Sequence, residues 1–285
     1  MQSTRNSYHQ RFQNVIDYIF ANLDQPLDLN QLAEVACMSP SHWHRIYRSI
    51  YGETLAMTVK RLRLHRAAEQ ILNTSEPLSK IALGAGYSSV QAFSRAFSQS
   101  YGLPPVRYKR EGSHQQFAVT PSDMHVKTVG DMMMLEVNIK QVESFSVCGL
   151  PHRGSYMEIG KAFEKLFGWL AINHKLTSDI RSIGIYLDDP CSVEESELRS
   201  FAGATFDGSA ESTFECQELV GGEYAVLHYK GPYSDMHNAY QWLYGVWLPQ
   251  SGREAADKPV FEEYLNDPKE VAPTELLTDI YLPLK

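Results

Sequence analysis

The chain has 285 residues, 43% of them hydrophobic, which is enough material for two ordinary cores. Its net charge of −8 looks wrong for a nucleic-acid binder, but residues 1–112 carry 13 basic against 8 acidic side chains (net +5) and residues 113–285 carry 13 against 26 (net −13). No stretch approaches the roughly 18 apolar residues of a membrane helix, no apolar signal segment opens the chain, and Cys37, Cys148, Cys191 and Cys216 show no paired spacing. The expectation is a reduced, cytoplasmic protein of two domains.

The first half contains one pattern twice. QLAEVACMSPSHWHRIYRSIYG (31–52) and the segment leading into AGYSSVQAFSRAFSQSYG (85–102) align at an offset of 49 up to a tight turn and 50 after it. Leu32 matches Ile81, Ala33 matches Ala82, Ser39 matches Ser88, and Arg45 matches Arg95. Small residues in the first helix let a second helix approach, and Ile46, Tyr47 and Ile50, like Phe93, Phe97 and Tyr101, recur at the spacing of an inward helical face. Two helix-turn-helix units in register are predicted.

The outward faces then carry Arg45 and Arg48 in one copy and Gln91, Ser94 and Arg95 in the other, types that pair with base edges or phosphates. Between the copies, Leu55, Val59, Leu62, Ala67, Ile71 and Leu72 predict one long helix, with Lys60, Arg61, Arg63 and Arg66 on its intervening turns. A rigid connector of this kind suits two helices reading major grooves about 34 Å apart, so that one chain would read an asymmetric duplex site. Cys37, His42 and His44 lie close in sequence, but their places in the turn and helix favour packing and DNA contact over zinc.

Residues 8–110, above all GYSSVQAFSRAF followed by Gly102, Pro104 and Tyr108, resemble the AraC family of transcription regulators. The resemblance implies base-facing roles for Ser41, His44 and Arg45 in the first reading helix and for Val90, Gln91, Ser94 and Arg95 in the second. It also implies double-stranded DNA and RNA polymerase as partners. Ser41 departs from the large aromatic frequent among close relatives, and Val90 from the polar residue of some, so the target sequence does not carry over.

Residues 113–133 read as a linker, mixing Gly, Ser, Pro and polar types without a helical stripe. Strands are predicted over 134–143, 146–150, 182–187 and 276–282. A second repeat follows at an offset of 77: HRGSYMEIGKAFEKLFGWL (152–170) matches YKGPYSDMHNAYQWLYGVW (229–247) at Gly154/Gly231, Tyr156/Tyr233, Ala162/Ala239, Leu166/Leu243 and Gly168/Gly245. Two such α+β halves predict one pseudo-two-fold domain over 134–285 with a continuous sheet and a ligand cleft between the halves.

This half resembles the GyrI-like effector-binding domain through its Gly-x-Tyr turns, GIYLDDP (184–190), AGATF (202–206) and FEEYLNDP (261–268). Joined to an AraC-type reader over 8–112, it is similar to the Rob-type arrangement. The recurring positions nominate Tyr156, Trp169, Tyr233, Tyr244 and Trp247 as cleft aromatics, able to hold an organic cation at about 0.5–2 kcal/mol per ring. By the family's FExY pattern, Glu262 and Tyr264 join them, with Glu263 and Glu275 as alternative carboxylates. A small hydrophobic or cationic effector is the expected ligand, with no cofactor and no catalytic residue. The alternatives are an interaction or inhibitor module, or a small-molecule hydrolase in which a Tyr and a Glu serve as base.

Overall fold

The computed structural model describes residues 2–111 and 135–285, apart from 26, 40, 41, 191, 209 and 210. The expected linker over 113–133 lies outside the described residues. By its contacts the chain forms two compact units, one of Asn6–Met38 with Tyr51–Thr128, the other of Met1–Arg5, Ser39–Ile50 and Val129–Lys285.

Helix α1 (Gln2–Ala21), which belongs to the first unit from Asn6 on, buries Phe12, Val15, Ile16 and Ile19, the i, i+3, i+4, i+7 stripe of an amphipathic helix. Asp28 caps α2 (Leu29–Val35) by accepting from the Asn30 amide at 3.0 Å, and Ser89 caps α6 (Val90–Tyr101) by accepting from Ala92 at 3.2 Å. Between them, α4 (Leu55–Asn73) is the predicted long helix, starting from Thr54 as its cap. Its predicted stripe is kept, with Leu55, Leu62, Ala67 and Ile71 buried. The second helix-turn-helix packs Leu64, Ala67, Ala68 and Ile71 of α4 and Ile81 and Ala82 of α5 (Leu78–Gly84) against Phe93, Phe97 and Tyr101. Tyr108 of α7 (Pro105–Glu111) closes that core, its ring edge-on to Phe97 at 5.2 Å.

The two turns repeat bond for bond. Ala36 and Ala85 donate to Leu32 and Ile81, Cys37 and Gly86 to Glu34 and Leu83, and Met38 and Tyr87 to Ala33 and Ala82. Both centre on a left-handed residue, Gly86 at φ 84° and, in the first copy, Cys37 at φ 51°. The basic residues of α4 are largely engaged within the unit: Arg61 pairs with Glu53 at 2.7 Å, Arg63 donates to the carbonyls of Leu23 and Gln25, and Arg66 reaches Asp24 and the Gly84 carbonyl.

The second unit is built on an eight-stranded antiparallel sheet in the order β1-β6-β8-β7-β3-β4-β2-β5. The strands are β1 (Val137–Val142), β2 (Phe145–Arg153), β3 (Ser182–Tyr186), β4 (Arg199–Ala204), β5 (Glu215–Leu219), β6 (Gly222–Lys230), β7 (Val260–Tyr264) and β8 (Leu277–Pro283). The 77-residue repeat maps β1–β4 onto β5–β8, and the pseudo-two-fold axis falls between β3 and β7. Each half lends its first strand to the other: β1 pairs β6 and β5 pairs β2. The continuous sheet was foreseen; this exchange was not.

Each half adds a helix after its glycine turn, α8 (Gly160–Ile172) in the first and α9 (Met236–Trp242) in the second. α9 runs on through a π-helical turn, Leu243–Trp247, into the short α10 (Leu248–Ser251). The turns use Gly154 at φ 116° and Gly231 at φ 149°, where a side chain would be strained.

The cysteines depart from expectation. Residues 68 apart in sequence are set opposite one another by the β2–β5 register, and Cys148 and Cys216 are joined in a disulfide. Cys37 is free and exposed. No helix among the described residues is long and apolar enough to cross a membrane.

Candidate functional site

The helix expected to be the second reader, α6, turns Phe93, Phe97 and Tyr101 inward, which leaves Gln91 and Arg95 exposed to solvent and Ser94 half-buried. Val90, also assigned to the base-facing set, packs in part against the core beside Phe93. An exposed Gln and Arg one turn apart near a helix N-terminus suit base-edge hydrogen bonding in a major groove.

The second unit holds a cavity of about 1070 Å³ on the helix face of the sheet. Its walls follow from two periodicities. Along α8, Gly160, Phe163, Glu164 and Phe167 form an i, i+3, i+4, i+7 stripe, and 77 residues later His237, Tyr240, Gln241 and Tyr244 form the matching stripe. Alternation along the central strands sends Ile183, Ile185 and Phe261 to one face of the sheet and Tyr186, Glu262 and Tyr264 to the cavity. Gly184 makes room for them, since a Cβ there would lie 2.8 Å from the Tyr264 hydroxyl and 3.1 Å from the Tyr186 ring.

Glu262 is 4% exposed. Tyr240 donates to its Oε1 at 2.7 Å, Tyr264 donates to Oε2 at 2.9 Å, and the Tyr186 hydroxyl lies 2.6 Å from that of Tyr264. Burial raises the carboxyl above its usual pKa, although the tyrosine hydrogen bonds and the Arg45 guanidinium pull the other way. The phenols are themselves held well above 10 by burial and by the neighbouring carboxylate, so they remain donors. Rings enclose this group edge to face: Tyr233 and Phe163 on Tyr264 at 5.5 and 5.4 Å, and Tyr156 on Tyr186 at 4.8 Å. Backbone anchors the Tyr156 hydroxyl, which accepts from the Asp188 amide at 3.1 Å.

Of the nominated cleft residues, Tyr156, Tyr233, Tyr244, Glu262 and Tyr264 line this one cavity, and Trp169 and Trp247 do not. Trp169 falls off the α8 stripe and packs on Phe206 and Phe214, with Lys175 Nζ 5.1 Å from its ring. Trp247, half-buried, ends the π-helical turn one step beyond the Tyr244 stripe. Glu263 faces the opposite side of the sheet, where Arg181 holds it with two bonds of 2.7 Å and keeps its pKa low against the cost of burial. Glu275 pairs with Lys230 outside the cavity. Tyr186 and Tyr240 were missed, although strand alternation through GIYLDDP and the offset of 77 from Phe163 both point to them.

The helix expected to be the first reader, α3 (Trp43–Tyr51), groups with the sheet up to Ile50. Trp43, Ile46, Tyr47 and Ile50 are buried, and Arg45, Arg48 and Ser49 line the cavity. Arg45 Nη2 donates to the Asp188 carbonyl at 2.5 Å, and its guanidinium carbon lies 5.8 and 5.9 Å from the Tyr240 and Tyr244 ring centres. His44 Nδ1 is 3.3 Å from the Ser192 hydroxyl. Ser41 lies outside the described residues. No group of three or more His, Cys, Asp or Glu among the described residues is arranged to hold a metal.

A paired helix-turn-helix reader followed by an α+β sheet with a tyrosine-carboxylate cavity defines a class, the DNA-binding transcription regulators that carry a small-molecule-binding fold. The chain belongs to the family described as "GyrI-like small molecule binding domain", matched over residues 135–285, and residues 32–111 match a "Helix-turn-helix domain". It is an AraC/Rob-type regulator in architecture. The chain is similar to "Transcriptional regulator Rob" of Salmonella typhimurium, 23% identical over 246 residues and 83% of each chain. "Regulatory protein SoxS" of the same organism is 32% identical over 103 residues, 36% of this chain and 96% of that protein. Among solved structures, the EcmrR C-terminal domain covers 54% of this chain and 99% of its own at 20% identity and TM-score 0.44.

Proposed function

We propose that this regulator responds to an organic monocation with an aromatic or otherwise apolar body, bound in the cavity around Glu262. The observation that carries the reading is a carboxylate buried under tyrosine rings, hydrogen-bonded by Tyr240 and Tyr264 and facing an open volume. Burial of such a group is costly without a cation, so a cationic ligand regains what a neutral one of the same shape does not. Aromatic faces add cation–π attraction. In this reading residues 8–112 read double-stranded DNA, 134–285 bind the effector, 113–133 join them, and the regulated partner is RNA polymerase in the cytoplasm.

The test is calorimetric titration of the full chain with tetraphenylphosphonium and with neutral triphenylphosphine oxide. Glu262→Gln is expected to weaken the cation by an order of magnitude or more and to leave the neutral compound little changed. Equal losses for both would remove the electrostatic basis of the reading.

A further inference from the structure

The cavity already contains a cation, and it belongs to the chain itself. Arg45 reaches in from α3, lies over the rings of Tyr240 and Tyr244, and contributes to the field at Glu262. α3 is fastened there at several points. Ser39 donates to Asp257 at 2.8 Å, His42 bonds the Lys258 carbonyl at 2.8 Å and the Tyr244 hydroxyl at 3.0 Å, and the Ser49 backbone comes so close that a Cβ on Gly245 would lie 2.7 Å from its carbonyl oxygen.

The seat is imperfect: among the described residues, the buried Arg45 Nε has no hydrogen-bond partner. An unpaired buried donor has a cost that another occupant need not bear. A side chain lying over Tyr240 and Tyr244 is also withdrawn from any duplex, so seating in the cavity and reading a base edge are mutually exclusive.

We infer that Arg45 is a tethered competitor for the effector cavity, that seating of α3 holds the first reading helix off DNA, and that an organic cation displaces Arg45 and thereby raises DNA affinity. The inference rests on the cation-site reading of Glu262. Its thermodynamic content is a ligand that binds the unseated arrangement better than the seated one, and by reciprocity DNA tightens ligand binding by the same factor.

The experiment uses the full chain, tetraphenylphosphonium as the probe, and a duplex selected by the full chain from a random library. Arginine labelling by phenylglyoxal, read by peptide mass spectrometry, compares Arg45 with the exposed Arg95. Arg45 should label slowly without the probe and approach the Arg95 rate at saturation, while affinity for the duplex rises between about 5- and 150-fold, the usual range of allosteric coupling. Gly245→Val, which wedges Ser49 away, and Asp257→Ala, which removes a fastening without a clash, should each expose Arg45 and make DNA affinity independent of the probe. Arg45→Ala should bind the probe more tightly than wild type. Glu262-dependent probe binding with Arg45 still protected would overturn the inference and leave the cation site standing. Absence of probe binding in both wild type and Arg45→Ala would overturn the cation site and the inference with it.

Discussion

The Tyr244 hydroxyl lies 3.0 Å from Nδ1 of His42, whose Nε2 lies 2.8 Å from the Lys258 carbonyl. A carbonyl only accepts, so Nε2 carries the proton, and Nδ1 is left to accept from the tyrosine. The arrangement requires neutral His42, and burial with the nearby Arg45 lowers its pKa from 6.5 to about 4.

Acid should therefore loosen this unit. The folded state resists a proton that the unfolded chain takes up below 6.5, so the contribution is complete above that pH and is lost as the pH falls toward about 4. The full span is on the order of 3 kcal/mol. Glu262, raised by burial, has the opposite slope. Comparing wild type with His42→Gln by urea unfolding cancels that common term, and the stability difference should vary with pH only between about 4 and 6.5. A pH-independent difference would mean that His42 is not buried neutral.

Binding of tetraphenylphosphonium should strengthen as the pH rises through the elevated pKa of Glu262, because the carboxylate form holds the cation. Tyr264→Phe removes the donor at Oε2. Losing a hydrogen bond to the charged form raises the carboxyl pKa further, so the midpoint of the pH profile should move upward in that variant. Calorimetry across pH checks this, and a midpoint unmoved by Tyr264→Phe would place the titrating group elsewhere.

Much of the fold was legible because the chain states its plan twice. The offsets of 49 and 77 marked both pairs of repeats, and helical spacing identified the cores built on Phe93, Phe97 and Tyr101 and on Leu166 and Leu243. Strand exchange was hidden because β1 and β5 share little sequence; only their positions before β2 and β6 relate them. The same exchange sets Cys148 against Cys216, a pairing that no local spacing reveals. In the cavity, the tyrosines near glycine turns and Glu262 were readable, whereas the tryptophans misled: Trp169 lies off the Gly160–Phe167 stripe, and Trp247, in α-helical phase with Tyr240 and Tyr244, closes a π-helical turn that changes that phase. Arg45 in the cavity was beyond reach, since pattern assigns a residue to a helix face but not to what that face meets.

The two turns of the helix-turn-helix units offer a stability test. Gly86 sits at φ 84°, and a Cβ there would lie 3.0 Å from the Arg63 guanidinium, so Gly86→Ala should cost about 1–2 kcal/mol. Cys37 holds the matching place at φ 51° with a side chain that disfavours it. Cys37→Gly relieves that strain but frees the unfolded chain, for a net gain of about 0.5 kcal/mol. Thermal unfolding of the two variants should shift in opposite directions.

The basic residues of the first half should separate into three kinds. Arg95, exposed on α6, is expected to contribute about 1–3 kcal/mol to specific DNA binding and little to binding of random duplex, if it is bidentate to guanine. Lys60, exposed on α4, should act through phosphate, so that Lys60→Ala lowers the slope of log affinity against log salt by about one. Arg63 belongs to neither group, because its guanidinium donates to the Leu23 and Gln25 carbonyls. Arg63→Ala leaves those carbonyls short of donors and should lower the melting temperature while leaving the salt slope unchanged. Affinity measured at several salt concentrations on selected and random duplexes, alongside melting curves, distinguishes the three; a salt-slope change in Arg63→Ala at unchanged stability would assign it to phosphate instead.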